Sequence, residues 1–401
     1  MAIELKDHQS NKSAFDDVAL LTQAMVRIDS SSPDMGSVPG PGETKLARFI
    51  VQWLQDHDIE THWIETTPGR PSVVGIVRGS GGGKSLMFNG HTDTVTLSGY
   101  DGDALSGEIV EDKLYGRGSA DMKSGLAASM ITLLRAQTMN LLGDVIFTAV
   151  SDEEYGSIGT EDVIAAGWSA DAAIVAEPTV MDIIVAHKGF VIFEVDIFGV
   201  ASHGSRPDLG VDAICKAGHF LVELERLGKR LQNGPMPTGS PEADLSSVHA
   251  GIIAGGEEVS SYPARCTISI DRRITAAETP ESAREELIVL LDSLTATVPD
   301  FRYEVRTIIS RPPHAIALDH PFIEMVVKHA TTAMGRSPVI RGERYWTDMA
   351  LLAAAGIPGV IWGARGFGLH SKTEWVELES VRQLLDSFVA IAGDLCRQPK
   401  A

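Results

Sequence analysis

The sequence predicts an α/β chain in two parts: an α/β domain split in sequence, and a βαββαβ unit inserted into it. Three features lead there. Short apolar runs alternate with helical patterns up to residue 187. Near His187 the pattern changes to alternation of apolar and polar residues. After Arg311-Pro312-Pro313-His314-Ala315 the α/β pattern resumes. The split domain is expected at 1–187 and 310–401, and the insertion at 188–309. A chain of 401 residues suits about two or three domains, at roughly 150 residues each.

Helical spacing opens the chain at 15–28 (Val18, Leu21, Met25) and 43–57 (Leu46, Phe49, Ile50, Trp53), with a Ser/Pro/Gly-rich loop between them. Apolar runs at 73–77, 86–88, 145–150 and 172–176, bounded by turn residues, have the pattern of buried strands. Helices are expected at 123–137 and 157–167. In the insertion, Val191, Phe193, Val195 and Ile197 alternate with Glu194 and Asp196, as in a strand with one solvated face. A helix at 210–227, strands at 247–254 and 264–271, a helix at 280–295 and a strand through Phe301, Tyr303 and Val305 complete a ferredoxin-like order. Helices at 319–333, 347–354 and 379–395, with a strand at 358–362, close the split domain.

Composition narrows the function. Acidic residues number 54 against 34 basic ones, a formal charge of −20. Nucleic acid and anionic membrane are bound by Lys and Arg neutralising phosphates, so neither is an expected partner. A small anionic substrate meets only the local field of a cleft and stays compatible. The three cysteines, Cys215, Cys266 and Cys396, are far apart and form no CxxC pair, which points to a reducing, cytoplasmic setting. Met1 to Phe15 has no apolar stretch of the secretory type, and no apolar run approaches the ~20 residues that span a bilayer.

The chemistry sits just after the expected strands, where open α/β sheets place their sites. Gly90-His91-Thr92-Asp93-Thr94-Val95 follows one strand, Ser151-Asp152-Glu153-Glu154-Tyr155-Gly156 a second, and Ala176-Glu177-Pro178-Thr179 a third. Gly116-Arg117-Gly118-Ser119-Ala120-Asp121-Met122-Lys123 is a glycine-rich loop ending at a helix start, and Gly368-Leu369-His370 follows the last strand. Singly, each has a bland reading: Asp121 as a turn former, the acidic run as a solvated strand end. Jointly, His91, Asp121, Glu154, Glu177 and His370 offer two imidazoles and three carboxylates, a donor set for two divalent ions such as zinc, cobalt or manganese. One carboxylate can bridge two ions about 3.5–4 Å apart. Asp93 is placed to orient the His91 ring. Glu153 is left over as a carboxylate able to take and return a proton.

The order of these motifs resembles the metallopeptidase family that includes acetylornithine deacetylase, succinyl-diaminopimelate desuccinylase, aminoacylases and carboxypeptidase G. The resemblance spans nearly the whole chain, from the GHTDTV, GRGSADMKSG, SDEEYGSIG and AEPT segments to His370 with Glu374-Trp375-Val376. It implies a zinc-exopeptidase-like catalytic domain with an inserted lid and dimerisation domain, hence a homodimer. It implies that His91 and Glu177 hold one ion, Glu154 and His370 the other, and that Asp121 bridges them. Glu153 becomes the general base, Asp93 the residue behind His91, and a cis peptide is implied after Asp121. In Gly199-Val200-Ala201-Ser202-His203-Gly204, His203 matches the lid histidine that stabilises an oxyanion at the partner subunit's site. Arg273, in Asp271-Arg272-Arg273, matches a grip for a substrate carboxylate, although an exposed ion pair suits it as well. Ser260 stands where many members carry Asn, so a substrate-binding amide is shortened to a hydroxyl. The activity implied is hydrolysis of the amide bond of an N-acyl amino acid or small peptide with a free carboxylate. Aminohydrolase or carbamoyl hydrolysis on the same site, and a non-catalytic binding homologue, are the alternatives.

Gly79-Ser80-Gly81-Gly82-Gly83-Lys84-Ser85 imitates a phosphate loop, but Arg78 stands where its first glycine is required and a strand follows instead of a helix. A hairpin turn is expected there. No GxSxG or HExxH occurs.

Overall fold

The computed structural model describes residues 16–236 and 240–400. The Met1–Phe15 segment, read above for a leader, lies outside the described residues. The chain divides into two compact units. The first holds the residues up to Val185 with Ile316–Ile340 and Thr347–Ala401; the second holds Ala186–Ala315 and Arg341–Trp346. Residues 341–346, expected in the split domain, therefore pack with the insertion. Gly342 N donates to Ser240 Oγ at 3.2 Å, and a side chain at Gly342 would collide with Ala243 at 2.4 Å. Trp346 Nε1 donates to Pro312 O at 2.9 Å, and its ring meets those of His187 and Phe190 edge-on.

The first unit is built on a large mixed sheet and also holds a small antiparallel sheet, in the order Gly366–Phe367, Trp375–Glu377, Lys113–Tyr115, Glu108–Val110. The strands of the large sheet run in the order Glu60–Ile64, Ser72–Val77, Val145–Val150, Leu86–His91, Ala172–Val175, Gly359–Ile361 and Ile183–His187. The Val145–Val150, Leu86–His91, Ala172–Val175 and Gly359–Ile361 strands are mutually parallel; the flanking pairs are antiparallel. Each central strand is buried on both sides, which explains why it reads as a continuous apolar run. Alternate residues face different cores. Leu86 and Phe88 join the helices Val18–Val26, Thr44–Asp56, Ser124–Ala136 and Leu378–Leu395, while Met87 joins Val163, Met349 and Leu352 on the opposite face. The Ser124–Ala136 helix lies so close that a Cβ on Gly125 would sit 2.2 Å from Ala176 O. That contact presses the segment after Asp121 against the one that leads to Glu177.

The glycine-rich connection at 79–83 is not a hairpin, because Val145–Val150 lies between the two strands it joins. Three of its N–H groups are bonded within the chain itself: Gly79 N donates to Asp144 Oδ1, Ser80 N to Leu141 O and Gly81 N to Leu142 O.

In the second unit the long elements follow in the order strand Gly189–Phe198, helix Ala213–Leu231, strand Ser247–Gly255, strand Arg265–Ile274, helix Pro280–Thr297 and strand Arg302–Arg311. The sheet order is Ser247–Gly255, Arg265–Ile274, Gly189–Phe198, Arg302–Arg311, with every neighbouring pair antiparallel. Val191, Phe193, Val195, Ile197, Ile268 and Ile270 face the two helices through Phe220, Leu224, Leu287 and Leu291. Asp212 caps the first helix and Thr279 the second, the latter in a reciprocal capping box with Ser282.

Phe88 is fully buried, with its ring 4.7 Å from that of Phe388, and it sits three residues before His91. Phe88→Ala is expected to destabilise the first unit by about 3–5 kcal/mol. Equilibrium unfolding in denaturant measures this, and a loss below ~1 kcal/mol would contradict the placement of this core.

Candidate metal centre

The parallel strands deliver their side chains at their carboxyl ends. His91 is the last residue of its strand, paired with Val150, and the acidic run Asp152-Glu153-Glu154 begins two residues after Val150. Glu177 follows the Ala172–Val175 strand by two residues. The glycine-rich loop leads into a short, irregular helical turn, Ser119–Lys123, and the Asp121–Met122 peptide is cis. His370 sits in a tight turn at φ 58°.

These residues converge. Asp121 Oδ1 lies 3.1 Å from His91 Nε2, and Asp121 Oδ2 lies 3.4 Å from His370 Nε2. One carboxylate thus faces both imidazoles, one oxygen to each. Glu177 Oε1 is 3.4 Å from His91 Nε2, and Glu154 Oε2 is 3.0 Å from His370 Nε2. Donor atoms of His91, Asp121 and Glu154 lie within 4.8 Å of one another, as do those of His91, Glu153 and Glu177. All five expected ligands and Glu153 are brought together. The His91 side of the site is buried, whereas the His370 side chain is 53% exposed.

Asp93 touches the His91 ring through both its backbone and its carboxylate. His91 Nδ1 is 3.0 Å from the Asp93 carbonyl oxygen and 3.6 Å from its carboxylate. The carboxylate also accepts from Glu153 N at 3.2 Å and Glu154 N at 3.1 Å. It therefore holds the peptide that carries the Glu pair, while the backbone carbonyl orients the ring. The other side of that peptide is fixed by Asp152, at φ 67°, which pairs with Arg70; Arg70 also grips the buried Glu43.

The charge balance shows what this site lacks. Four carboxylates, Asp121, Glu153, Glu154 and Glu177, share it with two imidazoles, and among the described residues no Lys or Arg forms an ion pair with any of the four. Burial raises the Glu153 carboxyl well above its ordinary range; His91 opposes this, while Glu177, Asp348 and Glu154 reinforce it. Burial, above all, raises Glu177 to about 7, despite His91. His91 is buried, which alone would lower its pKa, but Glu177 and Asp121 raise it well above 6.5. Hydrogen bonds to Asp121 and Glu154 raise His370 to about 10. The same imidazoles hold Asp121 low against its burial. Such a crowd of anions, holding protons for want of other cations, fits a site made for divalent ions.

The remaining expected site residues belong to the second unit. His203 pairs with Ser261 across a short antiparallel ladder, and Gly204 N donates to Ser260 O at 2.7 Å, so His203 and Ser260 share one loop junction. His203 Nδ1 accepts from Ser205 N at 3.2 Å, which assigns the proton of the neutral ring to Nε2. Arg273 makes two hydrogen bonds to Asp271 Oδ2, at 3.1 and 2.9 Å, and lies over the Phe190 ring. Both readings of Arg273 thus have a counterpart: it is ion-paired, and its side chain is still 35% exposed.

Three residues escaped sequence reasoning. Lys188 is 7% exposed, and its ammonium has no hydrogen-bond or ion-pair partner among the described residues. Burial lowers its pKa, and Arg344 and Arg273 lower it further. Asp348 is buried, accepts from Thr160 Oγ1 at 2.7 Å, and leaves Oδ1 without a hydrogen bond. Glu374 accepts four hydrogen bonds from the loop that carries Asp121. A lone Lys, Asp or Glu carries no spacing signal; only Glu374, four residues after His370, lay inside a noted motif.

The model for peptidase family M20/M25/M40 matches residues 87–394. An acetylornithine deacetylase from Myxococcus xanthus is 28% identical over 313 residues, covering 77% of this chain and 80% of that protein. A succinyl-diaminopimelate desuccinylase from Methylobacterium nodulans is 26% identical, covering 95% of this chain and 98% of that protein. Among solved structures, a tripeptidase from Staphylococcus aureus superposes with a TM-score of 0.76 at 19% identity, over 96% of this chain and 99% of that one. That identity speaks for the fold alone, whereas the family match extends over most of the chain. The chain belongs to peptidase family M20/M25/M40 and is a metal-dependent hydrolase of amide bonds.

Proposed function

We propose that the protein removes the acyl group from an N-acyl amino acid, or cleaves a small peptide, that carries a free carboxylate. The observation that carries this reading is the Asp121 carboxylate, set between His91 Nε2 and His370 Nε2 at 3.1 and 3.4 Å. Two ions, with zinc the best match and cobalt or manganese compatible, would be held by His91 and Glu177 on one side and Glu154 and His370 on the other, with Asp121 shared. Ions held there lower the pKa of water and polarise a carbonyl oxygen.

Glu153 is the base in this scheme. It is the carboxylate of the cluster left over from the ligand set, and its surroundings favour the protonated form. It takes a proton from the attacking water and returns it to the departing amine. His203, with its ring proton on Nε2, donates to the developing oxyanion. We assign this donation to the His203 of a second copy in a homodimer formed through the inserted domain. Arg273 supplies positive charge for the substrate carboxylate, and Ser260 a hydroxyl. The similar proteins are named as a deacetylase and a desuccinylase, which agrees with acyl transfer to water. The free cysteines Cys215, Cys266 and Cys396 fit a reducing, cytoplasmic setting.

Metal-reconstituted protein, assayed against N-acetyl, N-succinyl, N-formyl and N-aroyl amino acids and dipeptides, tests the substrate class. Release of amino acid from at least one group is expected. Ammonia without an acyl product would move the reading to an aminohydrolase, and ligand binding without turnover would move it to a binding protein.

Three further outcomes follow from the site. Glu153→Ala is expected to keep both ions while turnover falls by roughly 10²–10⁴-fold; near-normal turnover would remove Glu153 as the base. Zinc uptake at pH 7 is expected to release on the order of two protons per chain, because His91, His370 and Glu177 have raised pKa values and ligands bind deprotonated. Affinity then falls as the pH falls. An indicator in weak buffer reads the release, and none at all would contradict the ligand set. His203→Ala mixed with Glu153→Ala is expected to regain activity in confirmed mixed dimers, since one of the two sites then has both groups. No recovery would place His203 in its own chain's site or outside the reaction.

A further inference from the structure

Glu374 lies four residues after His370 and is not in the ligand set. Its side chain is 1% exposed. Oε2 accepts from Arg117 Nη1 at 2.8 Å and from Gly118 N at 3.0 Å. Oε1 accepts from Ala120 N at 3.0 Å and from Asp121 N at 3.1 Å. Both oxygens are therefore filled by donors from one loop, the loop that ends in Asp121. Other bonds join the same two segments. Arg117 Nη2 donates to Ser371 O at 2.7 Å, and Gly116 N donates to Glu374 O at 3.0 Å.

This zipper matters more for His370 than for the other ligands. His91 ends a buried strand, and Glu177 follows another, so the sheet fixes both. His370 stands on an exposed turn. The turn is tight: Gly368 has φ 80°, and a Cβ there would lie 1.8 Å from Thr373 O. Among the described residues, the His370 ring itself meets only Asp121 and Glu154 in ion-pair geometry. The strands that flank the turn, Gly366–Phe367 and Trp375–Glu377, pair with each other, and the second pairs with Lys113–Tyr115 ahead of the Asp121 loop. Beyond that backbone pairing, the Glu374 carboxylate and Arg117 are the side chains that join the turn to the Asp121 loop itself.

We propose that Glu374 is a positioning residue for the metal set: it presets the Asp121–His370 pair, so that the ion position formed by Asp121, Glu154 and His370 depends on it. The position formed by His91, Glu177 and Asp121 depends on it far less, because the sheet holds two of its three ligands. This inference rests on the dinuclear reading above. A carboxylate suits the task, since four donors need an acceptor at both oxygens. Glutamine would present an amide NH₂ to two of those donors and leave Arg117 without its counter-charge in a buried place. Aspartate keeps the charge but is one methylene short.

Zinc titration of the metal-free protein against a chromophoric chelator, with wild type beside Glu374→Gln, tests this. Wild type is expected to bind two ions. The variant is expected to keep one at near wild-type affinity and to bind the other about 10–100-fold more weakly, the usual effect of removing a group behind a ligand. Unchanged affinities, with a lower melting temperature alone, would reduce Glu374 to a structural residue. Equal weakening of both positions would overturn the selectivity. If Glu374→Gln does not fold, Glu374→Asp is titrated instead: the same selective weakening, smaller in size, supports the proposal, and unchanged affinities overturn it. Wild type that binds no ion would instead overturn the dinuclear reading, independently of Glu374.

Discussion

The site depends on one electrostatic constraint: negative charge is concentrated where water cannot screen it. Asp121, Glu153, Glu154 and Glu177 share one crevice, and the positive charge nearest to them is on two imidazoles. Charges so close in a low-dielectric setting repel by several kcal/mol unless protons or cations intervene. The shared Asp121 carboxylate is the centre of that arrangement, because its two oxygens face the two histidines separately. Divalent ions bound there would offset that repulsion.

The fold of the first unit can be understood as the means of holding that charge in place. Parallel strands buried on both faces provide rigid ends for His91 and Glu177. The less regular parts are each fastened by a dedicated polar group. Asp93 accepts both N–H groups of the Glu pair, and Arg70 ties down the preceding Asp152. Glu374 binds the Asp121 loop. Buried charged groups outside the proposed ligand set thus work as fasteners through their hydrogen bonds.

Much of this was legible in the sequence. Burial of the central strands on both faces leaves an apolar run such as Val145–Val150, and the polar residues that follow such runs mark the crevice. What failed was whatever depends on strand neighbours or on single polar residues. The 79–83 connection read as a hairpin because two strands flank it, yet a third strand lies between them in the sheet. The Glu60–Ile64 edge strand is only half-buried and mixes Glu, Thr and His, so its alternation is blurred. Residues 341–346 follow a helix of the split domain, and only their packing on Ser240, Ala243 and Pro312 assigns them to the second unit. For Asp93, proximity in sequence to His91 suggested a carboxylate–histidine contact. The carboxylate does stand 3.6 Å from Nδ1, but the backbone carbonyl is nearer, and the hydrogen bonds to Glu153 N and Glu154 N carry no sequence signal.

The central claim is that Asp121 bridges two ions. Anomalous diffraction from zinc-loaded crystals, recorded on either side of the zinc absorption edge, tests it most directly. Two peaks about 3.5–4 Å apart are expected, with one Asp121 oxygen on each, His91 and Glu177 on the first ion, and Glu154 and His370 on the second. A single peak at full zinc loading, or two peaks with Asp121 bound to only one of them, would contradict it.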